Sequence, residues 1–454
     1  MQKDIFNNLS RNSIDAPVNE RGQTFLHRLI LDNGDKRLGE AKKLLQQGAD
    51  FLQAEESGQT PLYYAVIKNC PKILQLFIDH GASGHLNTSQ HKDGIQSYYL
   101  INAAVHFSCL DSLRVLIENG ANIQKLNKDG ASPLHAAVIN ANPDMVDLLI
   151  SQGADIEKYD VRENRSLILS LLKTKEWTPD HQAVLKSLLR NGADPDSLTS
   201  NGQQSVLYVA AEKGFTQAVH TLLQAGGDPN LETNKQHPAL LPAVTSNSLS
   251  TIKTLLKFGA DPDGSKEKPG SPLNQAVMRG DYENVRALLD GGANPNLSSH
   301  ATGYNPITQA AFEEDLKMME LLKEYNVDPN SICDLGTPAL SAAIRHNTLS
   351  NNIVEWLLEN GANPDKQDRG SGNTALHFAN SYSNINTVNR LLEANADPLI
   401  ENKAGQTPYA HACDLYGDLH PISLRLKLAE EAALVTKEIE LKAPAFSKAP
   451  KFKK

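Results

Sequence analysis

The chain has 454 residues, 40% apolar and 21% charged, which is the composition of a folded globular protein and excludes wholesale disorder. Its 44 basic residues stand against 53 acidic ones, a formal charge of −9, and this argues against nucleic acid as the main partner because neutralising phosphates needs a basic face. Four cysteines, spaced 39, 224 and 80 apart, form neither a disulfide framework nor a zinc-ligand pattern and suit a reducing compartment. The opening MQKDIFNNLS lacks the apolar core of a secretory signal. The run from Ser166 to Leu172 is far short of the ~20 residues that cross a bilayer. A cytoplasmic protein without a transmembrane segment is expected.

Twelve units of 33 residues make 396 and leave 58 for insertions and ends. Asn12-Ser13-Ile14-Asp15 stands ten residues before Gly22, the same offset as Gly48 to Gly58, so residues 1–20 read as an N-terminal half-repeat cap. From there a phrase of the form Leu-Leu-x-x-Gly-Ala-Asp recurs, with its glycine or a substitute at 48, 81, 120, 153, 192, 226, 259, 292, 326, 361 and 395. The spacings are 33, 39, 33, 39, 34, 33, 33, 34, 35 and 34, too regular for chance. About a dozen residues after each turn comes a helix start: Thr60-Pro61-Leu62-Tyr63, Ser132-Pro133-Leu134-His135, Ser271-Pro272-Leu273-Asn274, Asn305-Pro306-Ile307-Thr308, Thr337-Pro338-Ala339-Leu340, Thr374-Ala375-Leu376-His377 and Thr407-Pro408-Tyr409. Thr, Ser or Asn caps the free amides, and Pro fits the first helical position, where its missing N–H is harmless. Small pairs follow, such as Ala136-Ala137 and Ala310-Ala311, so that neighbouring helices approach closely. A second helix then carries apolar residues at helical spacing and ends on the glycine.

Several units depart from the pattern. The third begins at Tyr99-Leu100 without a capping pair, after a long loop near 84–96; the fifth begins at Ser166-Leu167 and carries an insertion near 173–181. Pro242 falls within the seventh unit's first helix and should shorten or kink it. Asn326 and Asn395 replace the turn glycine, a swap that Asn tolerates. Residues 421–441 read as a capping helix, with Ile422, Leu426, Ala429 and Ala433 on one side. Lys442 to Lys454 hold five lysines and no acid, a disordered basic tail.

Together the two phrases resemble the ankyrin repeat, and residues 21–420 carry the resemblance. It implies an all-α solenoid of about twelve helix-turn-helix units with hairpin loops, stacked side by side. It also implies a protein-binding scaffold whose recognition face is concave, made of hairpin tips and exposed first-helix positions. Carried onto this chain, the tips are Glu55, Glu56, Lys128, Asp129, Arg162, Glu163, Lys235, Lys266, His300 and Arg369. The first-helix positions are His106, Ile139, Lys213, Arg279, Phe312 and Arg345. Trp177 joins them because the repeat does not need the insertion that holds it. The resemblance further implies that Asn230, Asn296 and Asn330, after Pro in the hairpins, are substrates for an asparaginyl hydroxylase, against a turn-stabilising role as the default. A stack of bare repeats ending in Glu430, Glu431, Glu438, Glu440 and then the lysines is similar to ankyrin effectors that intracellular bacteria deliver by type IV secretion.

Enzyme motifs are missing: there is no phosphate loop, no His-Glu-x-x-His and no Gly-x-Ser-x-Gly. His27, His135 and His377 occupy the repeat's own histidine position. His85, His91 and Asp93 share one loop but read as solvated. Cys413 has a close histidine, His411, yet two residues apart on a helix they diverge. The expectation is a monomeric, non-catalytic chain without metal or cofactor that binds one or more proteins. The alternatives are an effector enzyme with a cryptic cysteine site and attachment to nucleic acid or membrane through the lysine tail.

Overall fold

The computed structural model describes residues 14–88, 99–157, 166–199, 201–233, 238–265, 271–299, 302–346, 352–382 and 384–442. The basic tail beyond Lys442, most of the long loop of the third unit and residues 1–13 of the N-terminal cap lie outside these residues.

A Thr-Pro-Leu phrase starts a helix because its polar residue satisfies a free amide. The Thr60 hydroxyl accepts from the Tyr63 amide at 3.1 Å, and Asn305 accepts from Thr308 at 3.0 Å. Where the third residue of the helix is histidine, its ring does further work. The Thr24 amide donates to His27 Nδ1 (3.1 Å), so the proton sits on Nε2 and is donated to the carbonyl of Gln59 in the next unit (3.0 Å). His377 repeats this with Thr374 and the Gln406 carbonyl. Both histidines are buried, and burial pulls each below its usual pKa despite the carbonyl's opposing pull.

Twelve successive helix pairs result among the described residues. Two compact units are distinguished: residues 1–210 with 215–236, and residues 211–214 with 237–454. The first contains α1 (Phe25–Asn33) and α2 (Leu38–Gln46), α3 (Pro61–Ile67) and α4 (Pro71–Asp79), α5 (Leu100–His106) and α6 (Leu110–Glu118), and α7 (Pro133–Ile139) and α8 (Pro143–Ser151). It continues through α9 (Leu167–Leu171) and α10 (Pro179–Arg190) to the start of α11 (Val206–Glu212), and it includes α12 (Thr216–Gln224). The second contains α13 (Leu240–Thr245) and α14 (Leu249–Lys257), α15 (Pro272–Met278) and α16 (Tyr282–Asp290), and α17 (Pro306–Phe312) and α18 (Leu316–Glu324). It ends with α19 (Ala339–His346) and α20 (Asn352–Glu359), α21 (Ala375–Ser381) and α22 (Ile385–Glu393), and α23 (Pro408–Tyr416) and α24 (Pro421–Lys442). The described residues hold no strand beyond two isolated bridges, Leu198 with Ser205 and Ile332 with Pro338. The fold is all-α, as expected.

Within each unit, first helices pack on first helices (α3 on α5, α15 on α17) and second helices on second helices (α4 on α6, α14 on α16). Ala65, Val66, Ile73, Leu74 and Phe77 are fully buried in this way, as are Leu273, Ala276, Val285 and Leu288. Pro242 does not kink its helix. The helix instead begins at Leu240 and is six residues long, so Pro242 lies in the first turn, where no intrahelical partner is lost. Asn326 and Asn395 take the left-handed conformation (φ 60° and 62°) that ends their helices.

A second tie links the turns. The Asp196 carboxylate accepts the Asp228 amide (2.8 Å), Asp263 accepts Asn294 (2.7 Å), Asn296 accepts Asp328 (2.8 Å), Asn330 accepts Asn363 (2.6 Å) and Asp365 accepts Asp397 (2.8 Å). Asn296 and Asn330 therefore do stabilising work between repeats. The position needs only an acceptor oxygen, and burial raises the Asp196, Asp263 and Asp365 carboxyls above their usual range. A carboxyl raised on folding favours the folded state when protonated, and that advantage is lost as pH rises through the folded pKa. Asp263→Asn keeps the oxygen and removes the charge, so its melting temperature should exceed the parent's at pH 7. The difference should vanish by about pH 3, below the unfolded value. A thermal melt series across pH checks this.

Candidate partner-binding face

The helix pairs place one register outward. Counting seven residues from the Pro position, or the residue in its place, at eight of the helix starts reaches Lys68, Phe107, Asn140, Lys213, Arg279, Glu313, Arg345 and Tyr382, and the side chains there are exposed. The residue before it is often apolar and only partly covered, as with Ile139, 54% exposed, and the half-buried Phe312. This row and the hairpin tips form the surface not used for stacking.

Of the tips, Glu56, Lys128, Asp129 and Arg369 are exposed. Their backbones knit neighbouring hairpins: the Glu56 amide donates to the Arg21 carbonyl (3.0 Å) and the Arg369 amide to the Gly336 carbonyl (2.8 Å). Arg162, Glu163, Lys235, Lys266 and His300 lie outside the described residues. Of the first-helix positions, His106 and Lys213 are exposed, and exposed Arg279 pairs with Asp281 at 2.9 Å.

Two expectations change. Glu55 is 8% exposed, so it is no tip contact; it accepts from Gln23 Nε2 (2.6 Å), Ser57 Oγ (2.5 Å) and the Tyr64 hydroxyl (2.8 Å). Burial works to raise this carboxyl, but the bonds from Ser57, Gln23 and Tyr64 outweigh it and hold it below the usual range. Trp177 is half-buried: its ring packs on His181 (5.6 Å) and Phe215 (5.3 Å), and its indole N–H donates to Gln182 (2.9 Å). The insertion thus closes over the start of α10 and offers only part of the ring. Trp356, buried at 8% exposure with its indole bound to Glu320, belongs to the core.

Phe312 and Arg345 come together. With Tyr304, Thr337, Ala342 and Tyr382 they line a hollow of about 300 Å³ across three successive pairs. The Tyr304 and Phe312 rings are 5.5 Å apart, and Arg345 lies over the Phe378 ring at 5.8 Å. Tyr382 was findable from the register count alone. Tyr304 was not, since it precedes the Asn305 cap and only the ring pairing reveals it.

Cys413 is half-buried beside Tyr409, Asp418 and Ser423; burial pushes its thiol up, and Asp418 adds to this, the reverse of an activated nucleophile. His411 turns instead toward His377, with ring centres 5.6 Å apart. Cys70, Cys109 and Cys333 are buried. Among the described residues no His, Cys, Asp and Glu cluster into a metal-binding group, and no helix is long and apolar enough to cross a membrane.

Stacked helix pairs with a row of exposed first-helix ends define a helical-repeat protein, and family comparison makes the class specific. The family model described as "Ankyrin repeats (3 copies)" matches residues 2–90, 178–266, 273–368 and 350–420, and "Ankyrin repeats (many copies)" matches 100–150. The chain belongs to the ankyrin-repeat family. It is 27% identical over 217 residues to the B-cell lymphoma 3 protein homolog of Mus musculus, covering 47% of this chain and 46% of that protein. It is 26% identical over 392 residues to the E3 ubiquitin-protein ligase KEG of Arabidopsis thaliana, covering 83% of this chain and 20% of the ligase. The crystal structure of the ankyrin repeat domain of Bcl-3 aligns with a TM-score of 0.40 at 26% identity, covering 45% of this chain and 92% of that one. The chain thus spans less than half the length of these curated relatives.

Glu55→Ala would leave the buried Gln23 amide and Tyr64 hydroxyl without their acceptor. Each such group costs about 1–3 kcal/mol, so urea unfolding should show a loss of at least that size.

Proposed function

We propose that this chain is a non-catalytic scaffold that acts as a monomer and holds a protein partner on the face made by first-helix ends and hairpin tips. The hollow at Tyr304, Phe312, Arg345 and Tyr382 is its principal contact. That hollow carries the reading. Tyr and Arg are enriched among the few residues that supply most binding energy, and here aromatic rings and a guanidinium converge from successive repeats. The surrounding row extends along the repeats, and a standard interface needs only about 800 Å² per partner, so two partners have room. The non-catalytic part is supported by the raised Cys413 thiol and by the relatives. The alignment reaches only 20% of the KEG ligase's length, so that activity does not come across with it.

The test is to immobilise the intact chain, identify what it captures by mass spectrometry, and titrate that protein. Phe312→Ala with Tyr382→Ala should weaken Kd at least tenfold, about 1.4 kcal/mol. Lys128→Ala with Asp129→Ala, on a tip of the other compact unit, should change it little. Equal Kd for parent and hollow variant would refute the reading.

The segment that follows the last first-helix start supports a more specific reading, an effector delivered into a host cytoplasm. Helix α24 carries Glu430, Glu431 and Glu438 and leads straight into five lysines from Lys442 to Lys454. Deleting residues 425–454 should abolish delivery in a type IV translocation assay. Unchanged delivery, or none by the intact protein, ends this setting.

A further inference from the structure

We infer that the hollow bounded by Tyr304, Phe312, Arg345 and Tyr382 is built for one class of partner segment: an acidic peptide whose carboxylate neighbours an aromatic side chain. The inference rests on the scaffold reading and adds the chemistry of the contact.

The walls set the first half of the requirement. Tyr304 and Phe312 lie 5.5 Å apart, inclined by 39°, and Tyr382 from the next-but-one pair is 48% exposed along the same hollow. Ala342, small and buried, lines it between them and leaves the space open. At about 300 Å³ it is at the small end of ligand pockets and takes a single planar side chain, which gains by offset or edge contact with the rings.

Arg345 sets the second half. Its guanidinium is the only formal charge on the described lining. It is exposed and forms no ion pair or hydrogen bond with the described residues, and its guanidinium lies over the Phe378 ring at 5.8 Å. A cation over an aromatic face uses the charge but leaves the N–H edge unspent, and that planar edge matches a carboxylate with two parallel bonds. The nearest acid in sequence to Phe312, Glu313, is exposed and accepts from Gln309 at 3.0 Å. Tyr304 and Tyr382 line the same hollow, and their hydroxyls make no hydrogen bond among the described residues. An anion is therefore attracted and a cationic side chain repelled. A single guanidinium suits one carboxylate, whereas a polyphosphate would demand several cations.

Fluorescein-labelled peptides with Gly-Ser flanks and a central Phe-Asp, Phe-Asn or Ala-Asp pair, titrated by anisotropy against the full chain, decide the matter. The Phe-Asp peptide should saturate with a Kd below about 1 mM, and Phe-Asn and Ala-Asp should each bind roughly tenfold or more weakly. Arg345→Met, which keeps the stem, should erase the difference between Phe-Asp and Phe-Asn, and Tyr382→Ala should erase that between Phe-Asp and Ala-Asp. Thermal melts confirm that both variants fold; if one does not, competition of unlabelled Phe-Asp peptide against a captured partner serves instead. No saturation by Phe-Asp, or equal binding of Phe-Asp and Phe-Asn, overturns the inference. A captured partner that still depends on Phe312 and Tyr382 but ignores Arg345→Met leaves the scaffold reading standing and removes this one.

Discussion

The structure depends on the shortness of its repeating helix pairs, which are too small to stand alone. A seven-residue helix such as α3 and a nine-residue one such as α4 are both well below the length at which isolated helices persist in water. Each pair therefore keeps its form only while its neighbours cover its apolar side, and stability becomes a sum of nearest-neighbour terms. The full burial of Ala65, Ala104 and Ala137 at equivalent places shows the cost of that arrangement: first helices approach so closely that larger side chains are excluded.

Polar ties run alongside this packing and explain which polar residues recur. Buried His27 and His377, each at the third helical position, spend both ring nitrogens, one on their own helix cap and one on the next unit's hairpin. An Asp or Asn in several of the turns gives its oxygen to an amide about one repeat further on. Asp and Asn alternate there because geometry demands an acceptor and is indifferent to charge. Glu55 follows the same logic at the start of the array: a carboxylate at a hairpin is drawn inward because three donors await it.

Recognition occupies what stacking leaves free. The row reached by counting seven from eight of the helix starts holds Lys, Phe, Asn, Arg, Glu and Tyr without pattern, which fits a position under no packing constraint. Where that row meets aromatic residues of a hairpin, as at Tyr304 and Phe312, the stacked pairs acquire a hollow. Framework and specificity are thus carried by separate residues, so the fold does not name the partner.

Period, helix starts, turn residues and the all-α class were legible in the linear order of residues, because caps, prolines and left-handed turns act over four or five positions. Exposed first-helix ends such as Arg279 and Arg345 followed from the same register. Three things needed the third dimension. Glu55 reads as a surface charge until Gln23, from the preceding unit, is brought against it. Trp177 reads as a free insertion until Phe215, on the next pair, closes on its ring. Tyr304, Arg345 and Tyr382 are up to 78 residues apart and become one surface only when three pairs stack. Local rules set the elements, and contacts across a repeat length, which no local pattern records, decide what each element shows to a partner.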